Sequence, residues 1–552
     1  MRHFLDAISL RDAGPSQFPR RIERLLWNIG CSFVVNIDGP GDDGGDILAR
    51  RGDEDWVIQC KWKRRTPVGA EAIDEVALAR ETYRAHRAIV VTNTQFSLGA
   101  KRRADELTRL GPQILFWTGN DLAAAFDKLP DRFGRVELRS YQETALARLE
   151  SDLESNGRAL LVLATGLGKT VVGGEVLNAH LVRHPTDKVL VVAHAKDLVH
   201  QLERALWRHL PKQIPTRLLT GENKVDDLSG VTCATVGSAL SAIQFGYRPA
   251  LVMIDEAHHL GAEGQYDELL RILERSRQFG VTATPWRGDA HDITEQLGAP
   301  SFQLGIEDGM RKGYLAQVDY KLFVDDIDWD VVKDASTHSY GLADLNSRLF
   351  LPQRDEAIRE QLAAVWANTS RPRAIVFCRT VEHAERLAEL LDHTPLWSGA
   401  QAVHAALSKR ERQRRLLAFR AGDIPILTAV DILNEGVDIP DVNILCFARV
   451  THSRRIFVQQ LGRGLRLSDG KDRVVVLDFV SDLRRIAAAL KLKRSLGGKE
   501  IEVLETSGRS NIEFSDQRVA ALMEEWIKDA ASLETAYDEF RLQFPEILEA
   551  QE

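Results

Sequence analysis

Apolar and polar positions between about residues 18 and 125 predict one small α/β unit. The segment FPRRIERLLWNIG places apolar residues at helical spacing, which predicts an amphipathic helix. The turn-rich stretch GPGDDGGD leads into two short predicted strands, ILAR and DWVIQCKW. A helix near residues 70–85, the strand AIVVTN, a further helix and the strand QILFW complete the unit, and a hinge-like segment, LPDRFGRVE, follows it.

The next part of the chain alternates apolar runs with helical patterns. From about residue 136 to 320 the runs are ALLVLATG, KVLVVAHA, GVTCATV, ALVMIDEAH and FGVTATP. Runs that end in small or acidic residues in this way are typical of a parallel sheet covered by helices on both faces. After a less regular bridge, the pattern restarts with AIVFCRT, IPILTAV, NILCFARV and VVVLDFV, which predicts a second sheet of the same kind.

The chain has 552 residues, which is too long for a single hydrophobic core. We therefore expect an α/β protein of several domains, with a tail whose sequence pattern predicts helix. The expected boundaries are 1–130 for the first α/β domain, 136–320 and 321–490 for the two parallel-sheet lobes, and 491–552 for the tail.

Composition is that of an ordinary globular protein, with 44% hydrophobic and 28% charged residues. No apolar stretch is long enough to cross a bilayer, and the first residues lack the pattern of a signal peptide. The five cysteines show no paired spacing, which argues against a disulfide framework or a zinc site and favours the cytoplasm. A net charge of −8 neither indicates nor excludes nucleic acid, and each short basic cluster is expected to be a solvated surface.

A glycine-rich loop lies between the predicted strand ALLVL and the predicted helix VVGGEVLNAH. Its glycines would let backbone N–H groups close around phosphates, and the helix N-terminus adds partial positive charge. Lys169 would reach the β- and γ-phosphates, and the Thr170 hydroxyl would bind Mg²⁺. The strict phosphate-loop pattern requires glycine where this chain has Leu163. The candidate nucleotide-binding residues of this loop are Thr165, Gly166, Gly168, Lys169 and Thr170.

Two adjacent carboxylates, Asp255 and Glu256, follow the apolar strand ALVMI. This position puts them at the carboxyl end of a parallel strand, near the phosphate loop. Asp255 would hold Mg²⁺ through water, and Glu256 would orient and deprotonate the attacking water. The sequence therefore predicts an ATP-hydrolysing site.

From these motifs and their order, residues 136–480 resemble a superfamily-two helicase, in the group with restriction-enzyme motors and DNA-repair helicases. The resemblance implies two RecA-like lobes that use ATP and Mg²⁺. It assigns Gln142 to adenine recognition, VVAHAKDLVHQ and CATVGS to strand contacts, and Thr282-Ala283-Thr284 to coupling the ATP state to lobe movement. The form of the phosphate loop with Leu163 is the one helicases use.

The second lobe carries the later motifs of the same family. ILTAVDILNEGVDIP matches one of them, with Thr428 at the backbone-contact position and Gly436 and Asp438 near the nucleotide. The segment QQLGRGLR matches another, in which Arg463 and Arg466 reach across to the γ-phosphate. Arginines from a second lobe would make hydrolysis depend on lobe closure.

A second candidate site lies on the two predicted strands of the first unit. Residues i and i+2 of a strand point to the same face, so Gln59 and Lys61 project together, and Asp46 closes the turn before the preceding strand. An Asp and a side-chain carbonyl would supply two oxygen ligands for Mg²⁺. The lysine would position the attacking water or stabilise the charge of the transition state.

This constellation resembles the PD-(D/E)xK nuclease superfamily in its Mrr-type form, where Gln replaces the second acid. The resemblance covers about residues 18–125 and includes TNTQFSLGAKRRADEL and ILFWTGNDL. It implies that Glu23, on the first helix, completes the metal site. The expected metal ligands are Asp46, Gln59 and Glu23 for this site, and Thr170 and Asp255 for the ATP site.

Together the two resemblances imply an ATP-dependent DNA translocase or helicase fused to an endonuclease, with restriction of foreign DNA as the natural role. Two alternatives remain open. The first is a repair helicase whose N-terminal domain only grips DNA, and the second is an RNA helicase, because tracking along a backbone does not by itself exclude RNA.

Overall fold

The computed structural model describes most of the chain up to residue 325 and shorter segments beyond it. The described residues are 3–37, 44–109, 113–132, 137–221, 228–260, 264–283, 293–325, 354–378, 380–430, 442–448, 473–479 and 509–514.

The N-terminal domain is built on a five-stranded sheet in the order β1-β2-β3-β4-β5. The first three strands form an antiparallel meander, and the last three are parallel. The strands are β1 (Phe33–Asn36), β2 (Ile47–Arg51), β3 (Glu54–Lys61), β4 (Arg87–Thr92) and β5 (Ile114–Trp117). The helices are α1 (Ala7–Asp12), α2 (Gly14–Asn28), α3 (Glu71–Tyr83), α4 (Leu98–Thr108) and α5 (Gly119–Lys128).

Alternation along these strands divides their side chains between two cores. Ile47 and Ile58 belong to the core that α2 covers, whereas Leu48 and Val57 belong to the core that α3 covers. Because successive side chains of a strand point to opposite faces, Gln59 and Lys61 share the α3 face with Val57, and Asp46 shares it with Leu48.

The first lobe contains a seven-stranded sheet in the order β12-β6-β11-β10-β7-β9-β8, with every neighbouring pair parallel. Its strands are β6 (Arg158–Leu163), β7 (Val189–Ala193), β8 (Thr216–Leu219), β9 (Val231–Thr235), β10 (Leu251–Asp255), β11 (Arg277–Thr282) and β12 (Phe302–Leu304). Its helices are α6 (Ser140–Ser155), α7 (Lys169–Arg183), α8 (Lys196–Leu206), α9 (Val236–Gln244), α10 (Gln265–Ile272), α11 (Thr294–Leu297) and α12 (Ile306–Arg311).

The second lobe contains another seven-stranded sheet, in the order β15-β16-β14-β17-β18-β13-β19. Only the edge pair β13–β19 of these described strands is antiparallel. The strands are β13 (Gln317–Asp325), β14 (Ala374–Phe377), β15 (Gln401–Val403), β16 (Ile426–Ala429), β17 (Ile444–Phe447), β18 (Arg473–Phe479) and β19 (Arg509–Phe514). The helices are α13 (Arg354–Trp366), α14 (Val381–Asp392) and α15 (Lys409–Ala421). The predicted mixed α/β architecture with two parallel-sheet lobes is confirmed.

Two details of the second lobe differ from expectation. Strand β13 begins before residue 320, the expected end of the first lobe, and pairs with β18 of the second. The tail was predicted to be helical, but its described part is β19, which pairs with β13 from Tyr320↔Phe514 to Asp325↔Arg509. The physical reason is that an open sheet edge offers unpaired backbone groups, and a short segment that alternates polar and apolar residues satisfies them.

Candidate functional site

The phosphate loop takes a backbone conformation that its glycines make possible. Gly166 has φ 92° and Gly168 has φ 86°, a left-handed region in which side chains with a Cβ are strained. Helix α7 begins at Lys169, directly after this turn. The loop therefore presents a helix N-terminus and backbone N–H groups, the arrangement that binds phosphates.

Gln142 is held against this loop. Its Nε2 donates to Leu167 O at 3.0 Å, and its Oε1 accepts from Arg139 N at 3.0 Å. A Cβ at Gly168 would lie 2.5 Å from Gln142 Nε2, so this glycine is also needed for close approach. The structure brings the predicted adenine-binding residue to the phosphate loop, although the adenine contact itself stays a prediction.

The two carboxylates at the end of β10 converge on the loop lysine. Lys169 Nζ lies 3.8 Å from Glu256 Oε1, and Asp255 is buried beside them as the last residue of β10. Glu256 has φ 48°, a strained conformation for a residue other than glycine. Asp255, Glu256 and Lys169 are thus brought together as the sequence predicts. The carboxylate oxygens of Asp255 and Glu256 are the donors that Mg²⁺ prefers.

Burial decides the protonation of Asp255. Loss of water raises the pKa of its carboxyl group, the neighbouring negative charge of Glu256 raises it further, and the positive charge of Lys169 opposes both. A buried acid of raised pKa beside a cation is typical of a functional site. A bound cation would stabilise the ionised form, which fits a metal ligand.

His258 connects the carboxylates to the next strand. Its Nδ1 lies 3.0 Å from Thr282 Oγ1 and 3.3 Å from Glu256 Oε2. Thr282 ends β11, between β10 and β6 in the sheet. The residue predicted to couple the ATP state to movement therefore contacts the catalytic segment through a histidine for which the sequence assigned no role.

Several predicted residues of the motor cannot be placed. Gly436, Asp438, Arg463 and Arg466 lie outside the described residues, as does Thr284. Thr428 is described: its side chain is buried in β16, and its hydroxyl donates to Ala384 O at 2.7 Å.

In the N-terminal domain, hydrogen bonds hold Asp46 against the part of β3 that contains Gln59. Asp46 N donates to Ile58 O at 2.9 Å, and Asp46 Oδ2 accepts from Cys60 N at 2.5 Å, so the bonds of Asp46 flank Gln59 on both sides. Gln59 is 4% exposed, and its Oε1 has no hydrogen-bond partner among the described residues. A buried carbonyl without a partner costs free energy, and a metal ion would satisfy it.

Lys61 ends the same strand on the same face. Thr92 Oγ1 donates to Lys61 O at 2.8 Å, which holds the end of β3 against β4. The lysine Nζ lies 2.5 Å from Glu75 Oε2 of α3. Sequence reasoning missed Glu75, because no local motif relates α3 to the residues on β3.

Glu23 lies elsewhere. It is 1% exposed on α2, which covers the sheet face opposite to Gln59 and Lys61, and its Oε2 accepts from Arg204 Nε at 3.0 Å. The structure therefore does not bring Glu23 together with Asp46 and Gln59. Its role as a metal ligand stays a prediction, and its observed partner belongs to the first lobe.

Buried polar contacts join α2 to the first lobe. Arg24 is buried, its Nη1 donates to Ile214 O at 2.8 Å, and its guanidinium lies 4.4 Å from the ring centre of Phe4. Burial lowers the pKa of Arg24 to about 9. Arg20 pairs with Glu203 of α8. The Arg20 pair thus joins the N-terminal domain to α8, which begins within the predicted strand-contacting motif, and Arg24 joins it to the segment that follows α8.

The described part of the hinge-like segment is also bonded to the first lobe. Lys212 N donates to Asp131 O at 2.7 Å, and Lys212 Nζ donates to Leu129 O at 2.6 Å. Arg132 pairs with Glu175 of α7, which also contacts His209 at 2.7 Å. The linker is therefore held against the helix that carries the phosphate loop.

Three further searches concern only the part of the chain that the structure describes. It contains no group of three or more His, Cys, Asp and Glu arranged for a metal ion, so a metal at Gln59 would depend on a mixed set of donors. None of its helices combines the length and apolar character needed to cross a membrane. All five cysteines are buried and free.

Comparison with known families divides the chain in three. The family described as "Restriction endonuclease", of the Mrr catalytic type, matches residues 10–126. The family described as "Type III restriction enzyme, res subunit" matches 135–287, and the family described as "Helicase conserved C-terminal domain" matches 353–468.

Two curated relatives each match more than half of the chain. A protein described as a mitochondrial ATP-dependent helicase, irc3, of Schizosaccharomyces pombe is 29% identical over 374 residues, covering 64% of this chain and 59% of that protein. The DNA 3'-5' translocase XPB2 of Sulfurisphaera tokodaii is 26% identical over 371 residues, covering 61% of this chain and 80% of that protein. The chain thus spans about three fifths of the length of the first of these.

Among solved structures, one similar chain is the "ATP-dependent Type ISP restriction-modification enzyme LlaBIII bound to DNA". The TM-score is 0.50 with 17% sequence identity, over 96% of this chain and 40% of that chain. At this identity the similarity concerns the fold, and it extends over the N-terminal domain as well as both lobes.

Proposed function

Because this chain joins an Mrr-type restriction-endonuclease domain to the two domains of a superfamily-two helicase, we propose that it is a DNA-cutting motor. It hydrolyses ATP to move along or open DNA, and it cleaves the DNA with Mg²⁺ at Asp46, Gln59 and Lys61. Restriction of foreign or modified DNA in the cytoplasm is the role that suits this pair of activities.

In the motor, the residues of the ATP site that the structure describes have distinct tasks. The loop after β6 and the N-terminus of α7 bind the phosphates, and Lys169 neutralises their charge. Glu256, 3.8 Å from Lys169, orients the attacking water and accepts its proton. Asp255 and Thr170 would hold Mg²⁺, which supplies charge neutralisation on the phosphate oxygens.

In the N-terminal domain, Asp46 and Gln59 would hold Mg²⁺ through one carboxylate and one amide oxygen. Gln59 carries no charge, so this site attracts a cation less strongly than one built from two acids. Lys61 lies on the same face and would orient the attacking water or stabilise the negative charge on the phosphate.

The Arg463 and Arg466 assignments rest on sequence and complete the proposal for the motor.

The observation that carries the nuclease proposal is the buried Oε1 of Gln59, which has no hydrogen-bond partner among the described residues, in a residue that the hydrogen bonds of Asp46 flank on both sides. A buried carbonyl oxygen beside a carboxylate is a pair of donors suited to Mg²⁺. The same pattern in a metal site is explained by the cation.

The test uses the purified full-length chain with supercoiled plasmid and long linear duplexes, prepared from unmodified and methylated sources. Reactions contain Mg²⁺, with or without ATP, and both nicking and ATP hydrolysis are measured. We expect DNA-stimulated hydrolysis together with Mg²⁺-dependent cleavage. If ATP is hydrolysed but none of the DNA substrates is cleaved, the N-terminal domain is a DNA-gripping domain and not a nuclease. If only RNA stimulates ATP hydrolysis, the protein is not a DNA motor.

A further inference from the structure

Glu75 lies on α3, the helix that covers the sheet face of Gln59 and Lys61 in the N-terminal domain. Its Oε2 lies 2.5 Å from Lys61 Nζ, and the contact is held by charge, since that oxygen makes no well-directed hydrogen bond among the described residues. Sequence motifs did not point to Glu75, and the proposed function does not use it.

The position of Glu75 is set by packing on both sides. Ile73 and Val76 are fully buried neighbours that anchor α3 on the sheet. Gly44, in the turn that leads to Asp46, has φ 85° and approaches so closely that a Cβ there would lie 2.5 Å from Glu75 Cβ. The turn before Asp46 and the end of β3 therefore meet at Glu75.

The opposite charges of Lys61 and Glu75 suggest what this contact does. Lys61 must project its ammonium group toward the DNA phosphate, yet a lysine has a flexible stem and no fixed direction of its own. Gln59, the buried neighbour on the same strand face, carries no net charge and therefore attracts the ammonium group less strongly than a carboxylate does. Glu75 is the carboxylate in contact with it.

Stability does not account for the pair. The side chain of Lys61 is 27% exposed and that of Glu75 is 40% exposed. Ion pairs in contact with water contribute little to folding. Removing Glu75 should therefore leave the fold intact, so that a loss of cleavage would have another cause.

We propose that Glu75 is a positioning residue of the nuclease site: its carboxylate holds the Lys61 ammonium group over the face that carries Asp46 and Gln59. This inference rests on the proposed nuclease activity. The carboxylate acts through Lys61 and does not itself bind the metal.

The test compares full-length Glu75→Gln and Glu75→Asp with the wild type, with Glu81→Gln as the matched control because Glu81 is exposed on the same helix. Partners that orient a ligand or catalytic group typically contribute about 10- to 100-fold to activity. We expect Glu75→Gln to lower the cleavage rate at saturating Mg²⁺ by that factor and Glu75→Asp to restore part of it. Glu81→Gln should cleave at the wild-type rate.

Three further readouts separate positioning from other roles. The midpoint of thermal unfolding, the DNA-stimulated ATPase and the Mg²⁺ concentration for half-maximal cleavage should match the wild type in Glu75→Gln.

Each contrary outcome is distinct. If the wild-type chain cleaves DNA and Glu75→Gln cleaves it at the same rate, the positioning role of Glu75 is overturned, but the nuclease proposal is not. A shift in the Mg²⁺ requirement of Glu75→Gln also overturns it, because Glu75 would then be a metal ligand. A wild-type chain that cleaves no DNA overturns the nuclease proposal and this inference with it.

Discussion

Glu23 of the N-terminal domain forms an ion pair with Arg204 of the first lobe: Arg204 Nε donates to Glu23 Oε2 at 3.0 Å, and Arg204 Nη2 lies 2.8 Å from the same oxygen. The carboxylate is buried, whereas the arginine keeps 31% of its side chain in contact with solvent. The acid that the sequence suggested for a metal site thus lies in the junction between two domains.

Glu23→Ala should destabilise this junction. The change leaves Arg204 without its partner, and we expect a loss of about 2 kcal/mol, less than the roughly 3–5 kcal/mol of a fully buried pair, because Arg204 is partly solvated. Chemical unfolding of the full chain measures the loss. Glu106→Ala, which breaks an exposed pair with Arg103, is the control and should change little. Unchanged unfolding combined with loss of Mg²⁺-dependent cleavage would instead make Glu23 a metal ligand.

Asp46→Ala and Lys61→Ala should each eliminate DNA cleavage and leave DNA-stimulated ATP hydrolysis near the wild-type rate. Both residues lie on the α3 face of the sheet, opposite to α2, the helix that pairs with the first lobe, so neither change removes those contacts with the first lobe. Parallel cleavage and hydrolysis assays check this, with the exposed Lys101→Ala as the control. Loss of hydrolysis in step with cleavage would contradict the separation. Cleavage should also be poor in Ca²⁺, whose coordination is looser than that of Mg²⁺.

Lys169→Ala should abolish nucleic-acid-stimulated ATP hydrolysis without unfolding the protein. The lysine begins α7 beside Glu256, and loss of its charge on the transferring phosphate should lower the rate on the order of a thousand-fold. Steady-state hydrolysis measures the effect, and Lys312→Ala, at an exposed position of the same lobe, is the control. If the motor feeds DNA to the nuclease, cleavage of long duplexes should fall as well. Wild-type turnover would contradict the phosphate-loop assignment.

Asp255→Asn should stabilise the nucleotide-free protein while removing hydrolysis. Burial raises the pKa of Asp255, so at intermediate pH the folded state keeps a proton that the unfolded state has released. The contribution of Asp255 to stability is therefore fully present below the ordinary carboxyl pKa and is lost as pH rises through the raised pKa. Asparagine cannot ionise and avoids that loss.

The expected gain of Asp255→Asn is about 1.4 kcal/mol for each unit by which the pKa is raised. Thermal unfolding between pH 4 and 8, without nucleotide or Mg²⁺, should show this gain at the alkaline end and its disappearance at the acidic end. Asp105→Asn, at an exposed position, is the control. A gain that does not vary with pH would mean that a change other than ionisation is responsible.

The sequence by itself determined the features that depend on local spacing. A loop between a strand and a helix predicted a phosphate site at Lys169, because its glycines and its helix start lie within a few residues of each other. Period-two alternation placed Gln59 and Lys61 on one face, because a strand has that geometry wherever it lies. The order of apolar runs likewise predicted two parallel-sheet lobes.

Only the tertiary structure decided which distant residues meet. It paired Glu23 with Arg204, brought Glu75 to Lys61, and placed β19, the described part of the tail, at the edge of the second lobe's sheet. A carboxylate on a helix can serve a metal, a lysine or a neighbouring domain, and its own sequence neighbours do not distinguish these partners. The choice follows from how helices and sheets pack across the whole chain, where burial makes each charge take the partner that packing places beside it.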